Sequence, residues 1–223
     1  MDAAAKRTLA IGLALCAALA ACRTPGTSGA GAQEARPSDV KDPCDDRDAG
    51  VECCFAHMPA ALGHVMAIAD SSEPGQRLVL SGVIYRADGK EPYPGVLLYA
   101  YHTDHTGHYS RRGDEKGFQR WHGHLHGWCR TNAQGQYEIR TIRPARYPAN
   151  TIPAHIHSAV QEPNGRTYYI NDFVFADDDL VNEQYLAKLD GVGGTGVMTL
   201  RNDANGVATG VRDIVLDTPS ARQ

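Results

Sequence analysis

Pro153-Ala154-His155-Ile156-His157 is the stretch on which the reading of this chain turns. On a β-strand, residues i and i+2 point to the same side, about 6–7 Å apart along the chain. His155 and His157 can therefore offer two imidazoles to one metal ion. Alone the pattern is weak, because two exposed histidines on a strand face look the same, and the surrounding sequence has to decide. His155 to Val160 reads as a strand that meets a hairpin turn at Asn164-Gly165, with Tyr168 to Phe175 as its partner. Upstream, Gln136 to Thr141 alternates after the Gln134-Gly135 turn, Val96 to Tyr101 is a second strand, and Leu78 to Tyr85 runs into Asp88-Gly89. Downstream, Met198 to Leu200 and Val207 to Leu216 flank Asn205-Gly206 and predict a closing hairpin. A short helix is expected over Asp179 to Leu189, its aspartates suiting the dipole, and a helix start at Pro59 to Leu62. Short strands between turns make this an all-β chain, a β-sandwich or barrel.

The 223 residues favour one domain with appendages, large enough for a core without metal or disulfide staples. A net charge of -4 with scattered basic residues gives no nucleic-acid groove. Of ten histidines, eight fall between His102 and His157, a local excess that suits metal chemistry or a polar, loop-rich surface. Residues 1–21 read as an export signal: Lys6 and Arg7, an apolar run from Leu9 to Ala21, then Leu19-Ala20-Ala21-Cys22, which looks like a bacterial lipobox. The alternative is a plain signal cut after an Ala-x-Ala site. A lipid on Cys22 predicts a chain tethered to the bacterial cell envelope, facing the periplasm or outside, with no other membrane contact. Residues 22–41 read as a flexible tether, 42–72 as a cysteine-bearing segment, 73–217 as the β domain and 218–223 as a tail. Export leaves Cys44, Cys53, Cys54 and Cys129 in an oxidising compartment. Adjacent cysteines bond poorly to each other, so Cys44 is expected to pair with Cys53 or Cys54, and Cys129 with the other. A four-cysteine zinc site lacks the closely spaced pairs it needs.

The phrase ahead of the histidines decides among these readings. Gly135-Gln136-Tyr137 runs into Thr141-Ile142-Arg143-Pro144, then Arg146-Tyr147-Pro148, then Pro153-Ala154-His155-Ile156-His157, and Leu98 to Tyr101 leads to Gly107-His108-Tyr109. This ordered set resembles the intradiol ring-cleavage dioxygenases, the catechol and protocatechuate dioxygenases, over roughly residues 73–217. The resemblance implies the family's β-sandwich and a non-haem Fe(3+) held by Tyr109 and His155 in equatorial positions and Tyr147 and His157 in axial ones. It implies a small aromatic diol and O2 as substrates, with cleavage between the hydroxyl-bearing carbons to a muconate-type diacid. It also implies that Tyr147 yields its place to the substrate, and it is compatible with a homodimer. Two phenolates and two neutral imidazoles suit a hard trivalent cation, unlike the two-His, one-carboxylate triad of iron(II) oxygenases. Tyr99 and Tyr101 compete with Tyr109 by proximity, and Gly107-His108 favours Tyr109.

Two departures from the family pattern bear on substrate. Ile152 stands where catechol-cleaving members carry arginine before Pro-Ala-His, and Asp172 stands where a glutamine is expected. Arg130 and Arg146 are candidates to supply the missing positive charge. His122, His124 and His126 form a second row that reads as a solvent-facing loop or edge strand without an acidic partner; lining the site or binding another metal is the alternative. Two rival functions remain open: an exported binding module with a degenerate site, and a cupin-type metal enzyme using His155, His157 and Glu162.

Overall fold

The computed structural model describes residues 41–216; the export signal, Cys22, most of the tether and the tail fall outside them. The strands are β1 (Val65–Ala67), β2 (Arg77–Tyr85), β3 (Leu97–His102), β4 (His126–Arg130), β5 (Gln136–Ile142) and β6 (His155–Gln161). They continue with β7 (Thr167–Phe175), β8 (Val197–Met198), β9 (Arg201–Asn202), β10 (Ala208–Val211) and β11 (Ile214–Val215). One sheet runs β1-β5-β2-β10-β9, with β11 also on β2; the other runs β4-β3-β6-β7-β8. The fold is the expected β-sandwich.

Side-chain alternation builds the core. Leu98, Ala100, Cys129, Ile156 and Val160 of the second sheet point inward, where they meet Leu78, Leu80, Tyr137 and Ile139 of the first. The opposite face of the second sheet carries Tyr99 and Ala159, covered by Cys54, Phe55 and Phe118. A 3-10 turn, Val51–Phe55, lays that cover down, and the Cys44–Cys53 disulfide ties its middle residue to the preceding segment. The segment before residue 73 thus joins the sandwich twice, through this turn and through β1, which pairs in parallel with β5.

Half of the cysteine expectation fails. Cys54 and Cys129 are both free and buried. Cys54 packs on the outer face of the second sheet and Cys129 within the core, so the sheet stands between them. The predicted helix over 179–189 shrinks to α2 (Glu183–Leu186), capped by Asn182, whose side chain accepts from the Tyr185 amide. It buries no side chain, and without an apolar face a short helix has nothing to extend it. Residues 59–62 form no helix. The closing hairpin pairs β9 with β10, but Met198 belongs to β8 on the other sheet.

Candidate active site

The histidine pair sits at one end of the second sheet. His155 lies opposite Val174 of β7, and His157 opposite Tyr101 of β3. Two loops bring the tyrosines to them. In the first, the Asp104 carboxylate accepts from the Thr106 amide (2.8 Å), the Thr106 hydroxyl (2.7 Å), the His108 amide (3.2 Å) and the Ser110 hydroxyl. Burial opposes that charge, but the donors, Ser110 and Thr106 foremost, outweigh it and hold the carboxyl far below its usual range. This knot fixes the backbone on both sides of Tyr109. Thr103 donates to the Ala145 carbonyl at 2.7 Å and the Ala145 amide to the Asp104 carbonyl at 3.1 Å, so the first loop is stitched to the second. Gly107 makes the approach close enough: its φ is +86°, and a Cβ there would stand 2.1 Å from the Arg146 carbonyl oxygen.

Four ligand-type atoms meet as a result. The Tyr109 and Tyr147 hydroxyls are 2.5 Å apart, and the Tyr147 hydroxyl is 3.2 Å from Nε2 of both His155 and His157. The two Nε2 atoms are 3.0 Å apart. Neither needs its proton there. His155 Nδ1–H donates to the Pro153 carbonyl at 2.7 Å and His157 Nδ1–H to Asp172 Oδ1 at 2.9 Å, which leaves a bare lone pair on each facing nitrogen. Burial, then the neighbouring His157, also lowers the proton affinity of His155. Burial pushes the Tyr109 and Tyr147 hydroxyls up, so they remain phenols unless a cation ionises them. Two lone pairs and two phenol oxygens about 3 Å apart match the spacing of neighbouring ligands around an ion held at roughly 2.0–2.2 Å. The residues fit a metal.

Tyr101, the rival of Tyr109, is a wall instead. Its ring lies 4.7 Å from His157 and stacks on His122 at 3.6 Å and 7°. The histidine row is not a solvent-facing strip. His122, on α1 (Gln119–His122), is 5% exposed and holds the Tyr99 hydroxyl at 2.8 Å, because α1 presses it against Tyr99, Tyr101 and Phe118. His124 has an acidic partner after all, Glu73 at 2.9 Å, far off in sequence. His126 starts β4, the edge strand, and its Nδ1–H donates to the Gly123 carbonyl.

Neither candidate arginine reaches the four atoms. Arg130 lies opposite Leu97, four residues along β3 from Tyr101 and so about 13 Å away along the strand. Its guanidinium bonds the Gly95 carbonyl. Arg146 is taken by Asp178, Asp179 and Asn150, and Asp178 also accepts from the Ala154 amide. Arg146 therefore braces the Tyr147 loop against the start of β6. Glu162 sits at the far end of β6 with Tyr93 and Tyr168, so the cupin-type set does not assemble. Asp172 is the functional neighbour that motif reading treated only as a departure. Counting back from the Asn164-Gly165 turn would set Asn171 opposite His157; a register slip in β7 brings Asp172 there instead, and no sequence signal announced it.

The sequence model of the family described as "Dioxygenase" matches residues 54–218. The chain belongs to the intradiol ring-cleavage dioxygenases. Within this family it is 30% identical over 152 residues to catechol 1,2-dioxygenase 2 of Acinetobacter lwoffii, covering 56% of this chain and 53% of the relative. It is 31% identical over 128 residues to catechol 1,2-dioxygenase of Acinetobacter baylyi, covering 55% and 39%. The chain thus spans about half or less of the length of these curated relatives. Among solved structures, the dioxygenase domain of a dioxygenase carbohydrate-binding protein fusion from Streptomyces sp. SirexAA-E aligns with a TM-score of 0.52 at 25% identity, covering 79% of this chain and 99% of that one. Catechol 1,2-dioxygenase from Pseudomonas arvilla C-1 shares the fold, with a TM-score of 0.52 at 21% identity over 73% of this chain and 60% of that one.

Proposed function

We propose that the protein is a non-haem iron(III) dioxygenase that cleaves a catechol-type ring between its two hydroxyl-bearing carbons, with Tyr109, Tyr147, His155 and His157 as the ligands. The observation that carries this is the pair of Nε2 atoms 3.0 Å apart, each on a ring whose Nδ1 is engaged elsewhere, capped by two phenol oxygens. Iron(III) bound there supplies Lewis-acid polarisation of the diol and the visible colour of tyrosinate coordination.

The chain's own residues do the rest. Pro153 and Asp172 hold the imidazoles in the tautomer that leaves Nε2 free. Tyr147 is within hydrogen-bond reach of the other three ligands and is the less buried of the two phenols. Its oxygen is thus placed to take a proton from an incoming diol. Tyr101 closes one side. Ile152, 40% exposed, borders a cavity of about 290 Å³ with Pro153, Leu180 and Tyr185. None of the four ligand residues lines that cavity, and Lys188 on its wall carries the charge that Ile152 lacks.

Iron-loaded protein is expected to be burgundy, with a band that shifts on adding catechol, and to consume O2 with at least one of catechol, hydroxyquinol or protocatechuate. Colourless protein that retains zinc stoichiometrically, with no O2 uptake, would instead fit an exported binding module. The reading includes a lipid on Cys22 and self-association. Fractionation of Cys22→Ala into the soluble envelope fraction, and the sedimentation mass of the soluble protein, test those two parts.

A further inference from the structure

We propose that Asp172, aimed by a β-bulge that Arg212 holds in place, is the positioning residue that fixes the His157 ligand and adds the third negative charge of the centre. The proposal rests on the metal reading above.

The register of β6 against β7 slips at one place. Ser158 pairs with Ile170, whereas Ile156 pairs with Phe173, so Asn171 and Asp172 together face His157. Two residues opposite one is a β-bulge, which bends the strand and re-aims a side chain. Here the re-aimed side chain is Asp172, whose Oδ1 accepts from His157 Nδ1 at 2.9 Å. Asp172 is also, with His155 and His157, part of the one metal-competent histidine–acid cluster among the described residues.

The bulge is built rather than incidental. The Asn171 amide donates to the Val192 carbonyl, its side chain to the Gly194 carbonyl at 2.8 Å, and the Val174 amide to the Gly196 carbonyl. At Gly196, φ is +74° and a Cβ would fall 1.8 Å from the Asp172 carbonyl oxygen, so only glycine lets this loop lie against the bulge. Arg212 closes the arrangement. It is 6% exposed, and its Nη2 donates to the Asn171 carbonyl (2.9 Å) and the Gly193 carbonyl (3.0 Å), clamping bulge to loop. Its Nε and Nη1 meet no acceptor at all. A buried, half-satisfied guanidinium is costly; this one lies over the Phe173 ring, 4.3 Å from its centroid, and feels the Asp172 charge, which offsets part of that cost.

The consequence is electrostatic as well as geometric. A carboxylate accepting the far N–H of a metal-bound imidazole fixes its tautomer and raises its donor strength. Two phenolates and Asp172 sum to three negative charges, which match a trivalent cation and over-compensate a divalent one. An amide at position 172 would keep the hydrogen bond and lose the charge.

The test compares full-length wild type with Asp172→Asn and Asp172→Ala, with circular dichroism to verify folding. Both variants are expected to release Fe(III) to a chelator about 10–100-fold more readily. They should lose less Zn(II) affinity, and their tyrosinate band should move to longer wavelength. In metal-free protein, 15N-imidazole NMR should find His157 as the Nδ1–H tautomer in wild type and as a mixture in Asp172→Ala. Unchanged Fe(III) retention and band position in both variants overturn the proposal. Wild type that takes up no iron overturns the metal reading instead; the NMR measurement then still decides whether Asp172 sets the His157 tautomer, and an unchanged tautomer in Asp172→Ala overturns that.

Discussion

His102 ends β3 almost without solvent contact, its Nδ1–H on the Thr103 carbonyl at 2.7 Å and its Nε2 accepting from the Thr141 hydroxyl at 2.6 Å. Burial drives its pKa down from 6.5 to about 4. The unfolded chain therefore takes up a proton that the fold refuses. Stability from this residue is complete above pH 6.5 and is lost as pH falls toward 4, on the order of 3 kcal/mol in all. Urea melts of metal-free protein at pH 7 and 4.5 should reveal the loss, and His102→Gln should have a shallower pH slope whatever its absolute stability. At the candidate centre, Tyr109→Phe removes one of the two phenol oxygens proposed as ligands without altering the ring. It should weaken and shift the visible band, since Tyr147 remains, and lower O2 uptake by at least an order of magnitude, while the circular dichroism spectrum stays that of wild type. A Tyr101→Phe control should keep the band, because that ring is packing and not ligand.

Loops rather than strands decide whether the four candidate ligand atoms meet. The Asp104 knot, the Thr103–Ala145 stitch and the Gly107 contact hold the Tyr109 loop on the Tyr147 loop. Gly107→Ala would force a Cβ onto the Arg146 carbonyl at a φ that side chains avoid, costing roughly 1–3 kcal/mol. Its diagnostic result is iron release with little change in sheet content. Arg146→Ala tests the bracing role at the same scale. Loss of its ties to Asp178 and Asp179 should weaken iron retention, whereas Arg130→Ala, on an exposed strand end, should leave iron content and kinetics as they are. Equal catalytic loss in both, with iron content intact, would return the arginines to a direct role on substrate.

Across the whole molecule, the second sheet is a partition. Its inner face is core, its outer face carries the candidate site, and the N-terminal segment covers part of that outer face under the Cys44–Cys53 clamp. The partition keeps two thiols apart and buried, with burial raising Cys54 to about 11 and Cys129 to about 12. In a Cys16→Ser, Cys22→Ser background, a thiol reagent should label neither cysteine in native protein and both after denaturation. Reduction of Cys44–Cys53, which closes a short loop, should cost about 2–3 kcal/mol and loosen the cover over Tyr99 first. What the sequence determined by itself was local: strand alternation, turn dipeptides and the His155–His157 spacing each depend on neighbours a few residues away, so the sandwich and the histidine pair were legible. Partners far apart along the chain were not. Cys129 facing inward, Glu73 meeting His124, Arg146 turned to Asp178 and Asp172 aimed by a bulge all follow from how strands register and loops pack. Those choices minimise burial and hydrogen-bond costs over the whole fold, and no local pattern encodes them.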